Sequence, residues 1–317
     1  MINIFYRTLG NIAIYRSETE FASLSKENVL WIDLQDPEGK EKRAAESFLG
    51  IEIQSRAQVE EIESSSRFSE DESAIYANTS FLSPAGDEMF NDPVSFILTG
   101  KTLTTVRENP IRSFDTLKLK MQARPEEFPD GFTVFVEIMN KRVDLDADIV
   151  ELLAKDTSQF SKRINQNEDI NEEFLLDINQ LQENAMLVRE NVVDKQRLVS
   201  NIMKSRKCPK DQDLREDLNI IVQDISSLIN HINFTFERLE YLQDTVLGII
   251  NLEQNNIMKI FTLVSVLLMP ATLLASFYGM NVSLPFSGRW WAWIAIVVTM
   301  LLLVVGIWIY FKRRKML

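Results

Sequence analysis

Ten positions between residues 244 and 276 repeat at alternating steps of four and three: Asp244, Gly248, Asn251, Asn255, Met258, Thr262, Ser265, Met269, Thr272 and Ser276. Each is small, polar or a methionine, and the spacing lines them along one side of a helix. Amide and hydroxyl oxygens in a row can accept hydrogen bonds from the water around an ion. Methionines on the same row can narrow a wet path by dewetting. The second half of the row lies in Ile260–Tyr278, which is 19 residues without a charge. Polar groups inside a membrane span face a bundle interior or a water-filled path. A single hairpin has little interior, so the row predicts a pore lined by several copies. A dry helix–helix contact also enriches Ser, Thr and Gly. The Asp and Asn positions just before the span continue the same face and tilt the reading toward water.

The elements that must position this row are two spans. Besides Ile260–Tyr278, Trp290–Phe311 is 22 residues without a charge, and about 20 apolar residues cross a bilayer core as a helix. Only Gly279–Arg289 separates them, a tight extramembrane loop. Trp290, Trp291 and Trp293 at one end of the second span, and Trp308 and Tyr310 at the other, suit the two interfaces. Lys312, Arg313, Arg314 and Lys315 follow the second span, against Arg289 in the loop. The positive-inside rule therefore puts the C-terminus in the cytoplasm, and two spans return the N-terminus to the same side. The start, MINIFYRTLG, has no apolar signal core.

Charge divides the 317 residues sharply. Residues 257–317 hold six basic residues and no acid, so the net −12 of the chain leaves −18 on residues 1–256. An acidic surface argues against nucleic acid as a partner. It suits cations, or simply solubility. One cysteine, Cys208, and one histidine, His231, exclude a disulfide framework and make a soft-ligand metal cluster or a Ser-His-Asp triad hard to build. With no Gly-rich phosphate loop and no nucleophile–base pair, an enzyme is the weakest reading.

Within residues 1–110 the β-branched and aromatic runs predict strands at Ile2–Tyr6, Ile12–Tyr15, Val29–Leu34, Ser73–Phe81, Val94–Leu98 and Leu103–Val106. Asp36-Pro37 reads as a helix start, with a helix to Leu49, and a second short helix is expected over Gln54–Glu63. Pro110 and the Arg124–Gly131 stretch read as breakers. From Phe132 onward the chain reads as helix, divided at Cys208-Pro209 with Asp211 as the next N-cap. Leu214, Leu218, Ile221, Ile225, Leu228, Ile232, Thr235, Leu239, Leu242, Val246 and Ile249 then form a heptad seam. No strong stop follows, so this stalk helix is expected to run into the first span. The organisation is thus an α/β domain over residues 1–130, long helices over 131–256 and a two-span membrane domain over 257–317.

Tyr278-Gly279-Met280-Asn281 between two C-terminal spans resembles the signature of the CorA magnesium transporter family. Asn251-Leu252-Glu253-Gln254-Asn255, Ile257–Phe261, Met269-Pro270 and Ala275-Ser276 support it, as do Trp31-Ile32-Asp33-Leu34 with Asp36-Pro37, Val59–Glu63 and Arg67-Phe68. The resemblance covers essentially the whole chain, most tightly over 247–281. It implies a funnel-shaped homopentamer in the inner membrane, with cytosolic α/β domains and a stalk helix that becomes the pore-lining span. It implies passive uptake of Mg²⁺, with Co²⁺ and Ni²⁺ as lesser substrates, and closure by Mg²⁺ bound between cytosolic domains. Gly279, Met280 and Asn281 would form the ion-selecting mouth, with Met258 and Met269 as candidate constrictions. The resemblance places an interface acid at Glu61. Its stalk partner would be Asp224, with Asp217 as the alternative; a solvated acidic face is the other reading of this region.

One departure is visible. The loop Val282–Arg289 has no acid, where similar proteins often carry a Met-Pro-Glu-Leu type run, so no carboxylate there concentrates cations. Two further readings stay open. One is a Zn²⁺-, Co²⁺- or Ni²⁺-selective transporter of the same superfamily, against which Met280 argues. The other is a membrane-anchored coiled-coil scaffold, which explains the stalk seam but not the polar row.

Overall fold

The computed structural model describes residues 1–54, 67–85, 88–166, 170, 172–280 and 289–313. By its contacts the chain forms two compact units, Met1–Gln243 and Asp244–Leu317.

The first unit is built on a seven-stranded sheet: β1 (Ile2–Thr8), β2 (Asn11–Tyr15), β3 (Val29–Gln35), β4 (Phe68–Glu70), β5 (Ala74–Ala85), β6 (Glu88–Thr99) and β7 (Thr102–Arg107). Their order is β2-β1-β3-β7-β6-β5-β4. Among the described residues only β3 and β7 pair in parallel; every other neighbouring pair is antiparallel. Each expected strand is present. Strands β5 and β6 run on to 12 residues each, past the apolar runs that announced them. The short β4 lacked a pattern long enough to read.

Both faces of the sheet are covered, so β3 is buried on both. Ile32 and Leu34 pack under helix α1 (Gly39–Leu49) with Ala45, Ile51 and Ile53. On the other face an aromatic row crosses the strands. Phe5 stacks on Trp31 at 4.5 Å, Trp31 meets Phe114 at 5.8 Å, and Phe96 meets Phe135 edge-on at 5.3 Å. Phe114 and Phe135 come from helices α2 (Arg112–Ala123) and α3 (Gly131–Asn165). Buried aromatics each remove a large area from water and so dominate such a core.

Two local expectations are corrected, and one helix had no expectation. Helix α1 is capped by Glu38, not Asp36: Glu38 and Glu41 form a reciprocal box, and Asp36 sits before it at φ +42°. The stretch after Pro110 holds α2, which had no forecast and whose apolar Phe114, Leu117 and Met121 are buried. The helical region after Phe132 is also two helices, α3 and α4 (Glu172–Lys204), with Gln166 as the C-cap of the first. The helix expected over Gln54–Glu63 falls largely outside the described residues.

Gly131 explains why α3 can begin against the sheet. A Cβ there would sit 2.3 Å from the Leu103 amide nitrogen. The Gly131 N–H donates to Lys101 at 2.7 Å, and Asp130 caps the helix by accepting from the Thr133 N–H at 3.0 Å.

Candidate functional site

Helix α5 spans Gln212–Tyr278, 67 residues, or about 100 Å at 1.5 Å per residue. Asp211 starts it as expected, its carboxylate accepting from the Asp213 and Leu214 N–H groups at 2.9 and 3.2 Å. The heptad seam is buried at Leu214, Leu218, Ile221, Ile225, Ile232, Thr235, Leu239, Leu242 and Val246, while Leu228 and Ile249 are half-buried. Thr235, the one polar member, donates its hydroxyl to the His231 carbonyl at 2.9 Å. That internal bond lets it sit in an apolar seam. Polar pairs on the seam's edges tie α5 to its neighbours: Gln196 to Ser226 and Arg189 to Asn233 from α4, and Arg238 to Ser158 of α3.

In the second unit the polar row is uncovered throughout. Asn251, Asn255, Met258, Thr262, Ser265, Met269, Thr272 and Ser276 are all exposed. A different stripe of the same span is half-covered: Leu263, Val266, Leu267, Pro270, Ala271 and Leu274. Helix α6 (Ala292–Arg313) carries a matching half-covered stripe at Ile296, Met300, Val304, Ile307 and Phe311. At 100° per residue the polar row points about 135° away from the half-covered stripe of α5. The half-covered stripes of both helices are thus apolar, and the polar row lies on the uncovered side of α5. Helix α5 continues through Pro270.

Thr262 and Thr272 donate their hydroxyls to the Met258 and Leu268 carbonyls at 2.8 and 3.0 Å. Their protons are thus satisfied within the helix, as serine and threonine in apolar surroundings require. The oxygen lone pairs stay available to accept from water or hydrated ions. At the end of the span Gly279 donates to Ala275 at 3.0 Å and Met280 to Phe277 at 3.5 Å. Met280 is exposed. Asn281 lies outside the described residues.

The regulatory candidates are only partly placed. Asp217 and Asp224 are exposed on α5, seven residues apart and so on one face; Glu61 lies outside the described residues. Among the described residues no three acidic, histidine or cysteine side chains converge as a metal site would need. A polar cleft of about 340 Å³ is lined by Glu52, Glu70 and Asp71, but two of these acids serve the fold. Asp71 accepts from the Ser73 and Ala74 N–H groups at 2.6 and 2.7 Å. Those backbone bonds, the Ala74 one foremost, lower its carboxyl to about 2. Glu70 accepts from the Ser205 hydroxyl at 2.5 Å.

Two buried charge clusters had no forecast from sequence. Asp33 takes a forked pair of bonds from Arg107, both 3.0 Å, and one from Lys118 at 2.9 Å. Burial alone would raise its carboxyl; Arg107 and Lys118 override it and hold it below the usual range. Asp146 of α3 pairs with Arg142 one turn earlier and with Lys195 of α4. The signal was present in one case: Asp33 sits at an inward position of an otherwise apolar strand.

Comparisons with known proteins agree with this architecture. The family described as CorA-like Mg²⁺ transporter protein matches residues 26–313. The magnesium transport protein CorA of Wolinella succinogenes is 33% identical over 326 aligned positions, covering 100% of both chains. That of Escherichia coli K12 is 31% identical, covering 98% of each. The complete structure of the CorA magnesium transporter from Methanocaldococcus jannaschii superposes with a TM-score of 0.80 at 18% identity, over 98% of this chain and 97% of that one.

Proposed function

This chain belongs to the CorA-like Mg²⁺ transporter family, and from that premise we propose that a homopentamer of it conducts hydrated Mg²⁺ along the polar row of α5. The observation that carries this reading is the orientation of that row. It is uncovered along its whole length and faces away from the half-covered apolar stripe of α5. Oxygen-bearing side chains spaced along an apolar span face a bundle interior or a water-filled path, and neighbouring copies of α5 supply one.

The chemistry suits the ion. Mg²⁺ sheds its water reluctantly and is usually bound with several waters in place. Asn251, Asn255, Thr262, Ser265, Thr272 and Ser276 offer neutral oxygens that accept hydrogen bonds from those waters. Neutral acceptors hold a divalent ion more weakly than carboxylates do, and conduction needs release as much as capture. A ring of five Asn281 amides forms the outer mouth, with Gly279 and Met280 setting its backbone. Met258 and Met269 form apolar constrictions. Co²⁺ and Ni²⁺, which carry the same charge, are lesser substrates.

In this reading the protein lies in the inner membrane with both termini in the cytoplasm. Mg²⁺ between cytosolic units, held by Glu61 with Asp224 or Asp217 of a neighbour, favours the closed state. A ligand shifts such an equilibrium only by its differential affinity for the two states. The carboxylates come together in one of them. Flux into proteoliposomes compared for Mg²⁺, Co²⁺, Ni²⁺ and Zn²⁺ tests the proposal. Uptake of Mg²⁺ down its gradient, with weaker Co²⁺ and Ni²⁺, is expected; Zn²⁺ flux without Mg²⁺ flux refutes it.

A further inference from the structure

Helices α5 and α6 each carry a cation about the same number of residues from the loop that joins them. Lys259 lies 19 residues before the last residue of α5, Tyr278, and Lys312 lies 20 residues after the first of α6, Ala292. At 1.5 Å per residue both stand about 29–30 Å from the loop end of the hairpin, one bilayer core away. Arg313 follows Lys312 at once. Glu253 is the last acid in the sequence, so nothing of opposite charge in the span region answers these groups. Among the described residues none of the three takes part in an ion pair. Lys259 and Lys312 are exposed. Lys312 lies over the Trp308 ring, its Nζ 5.0 Å from the centroid. A tryptophan at that depth sits at the headgroup level, and the cation–π contact holds the ammonium there as well.

We propose that Lys259, Lys312 and Arg313 form a collar that binds the phosphate groups of anionic phospholipids in the leaflet at this end of the spans. The reading rests on the membrane placement of the two helices, not on ion conduction. Orientation during insertion explains why basic residues gather after α6. It also favours Lys259, on the same side of the first span, but it does not set the matching distances of the two cations from the loop. Phosphate diesters at this level complete the charge of both helix ends at once and so fix the depth at which α5 enters the bilayer.

The test uses the full-length chain in neutral detergent, titrated with phosphatidylglycerol or phosphatidylcholine, with bound lipid counted by native mass spectrometry. Each basic residue near an anionic headgroup is worth about fivefold in binding. The wild type is expected to prefer phosphatidylglycerol strongly, and the preference should fall as salt rises. Lys259→Gln, which leaves the whole tail to set orientation, should lose about fivefold of it. The Lys259→Gln, Lys312→Gln, Arg313→Gln triple variant should lose about a hundredfold. Equal preference in the wild type and the triple variant overturns the proposal. So does displacement of the lipid by millimolar inorganic phosphate, which marks a site for the free ion. Mg²⁺ flux, measured separately in proteoliposomes, reports on the transport reading alone.

Discussion

The Nζ of Lys195 lies 2.7 Å from the Oδ2 of Asp146, and neither side chain is more than 1% exposed. The pair joins α4 to α3, and Arg142 shares the same carboxylate from one turn away. Both cations lie over the ring of Phe81 on β5, at 5.2 and 5.6 Å. One carboxylate thus compensates two buried cations, at the junction of two helices and the sheet.

Asp146→Asn should therefore be the more damaging change at this junction. It leaves two buried cations without their counter-charge, and breaking a buried pair in this way costs about 3–5 kcal/mol. Lys195→Met leaves Asp146 paired with Arg142 and should cost less. Thermal melts of the full chain in detergent rank the two; a milder effect for Asp146→Asn would contradict the arrangement.

The same lysine gives a pH signature. Burial, only partly offset by Asp146, lowers the Lys195 ammonium from 10.5 to about 8. Between about 8 and 10.5 the unfolded chain binds a proton that the folded chain has released, so stability rises with pH through that window. Below about 8 both states hold the proton and the full burial cost is present. Melts of the wild type against Lys195→Met from pH 7 to pH 10 should show the wild type gaining over the variant. A constant difference would mean that Lys195 titrates as an ordinary lysine.

Much of this fold was legible because its signals were periodic. The strands of residues 1–110 alternate or run apolar, and the stalk seam repeats every seven residues from Leu214 to Ile249. Helix α2 was hidden because Pro110 and Pro125 bracket it, and a breaker at each end reads the same as a loop. Asp36 misled because Asp-Pro is a common helix opening; Glu38 and Glu41 closed a better box three residues apart. Asp146 and Lys195 are 49 positions apart, and no local pattern ties a lysine on one helix to an aspartate on another. The polar row was readable since it depends only on spacing within one helix.

Asn281→Ala should abolish Mg²⁺ uptake while leaving assembly intact. Flux in proteoliposomes, with size-exclusion chromatography as the control for assembly, reads both. Wild-type conduction by this variant would remove Asn281 from the mouth.

Single cysteines at Asn255, Thr262, Thr272 and Ser276, in a Cys208→Ser background, should react with water-soluble thiol reagents, and the reaction should block flux. Cysteines at Leu263 and Leu267 belong to the half-covered stripe and should react at least tenfold more slowly. Equal labelling of the two sets would leave the polar row without a role.

Replacing Glu61 and Asp224 together by lysine should imitate a bound cation. The double variant is expected to open less at low Mg²⁺ and to lose most of the protection from protease that Mg²⁺ gives the wild type. Unchanged Mg²⁺-dependent protection would rule out this pair and leave the conduction path standing.

The alternating four-three steps of the polar row carry a consequence of handedness. A 3.5-residue repeat slips by about 20° per heptad on a straight helix. From Asn251 to Ser276 that slippage would reach about 70°, enough to turn one end of the row off the face of the other. In any bundle that keeps both ends on a common axis, the helices must cross with a left-handed tilt. Such a bundle behaves as an iris: a uniform change of tilt widens or narrows its two rims and hardly moves its waist. Asn251 and Ser276, at the rims, would then feel a change of tilt first, and Thr262 and Ser265, near the crossing point, would feel it least.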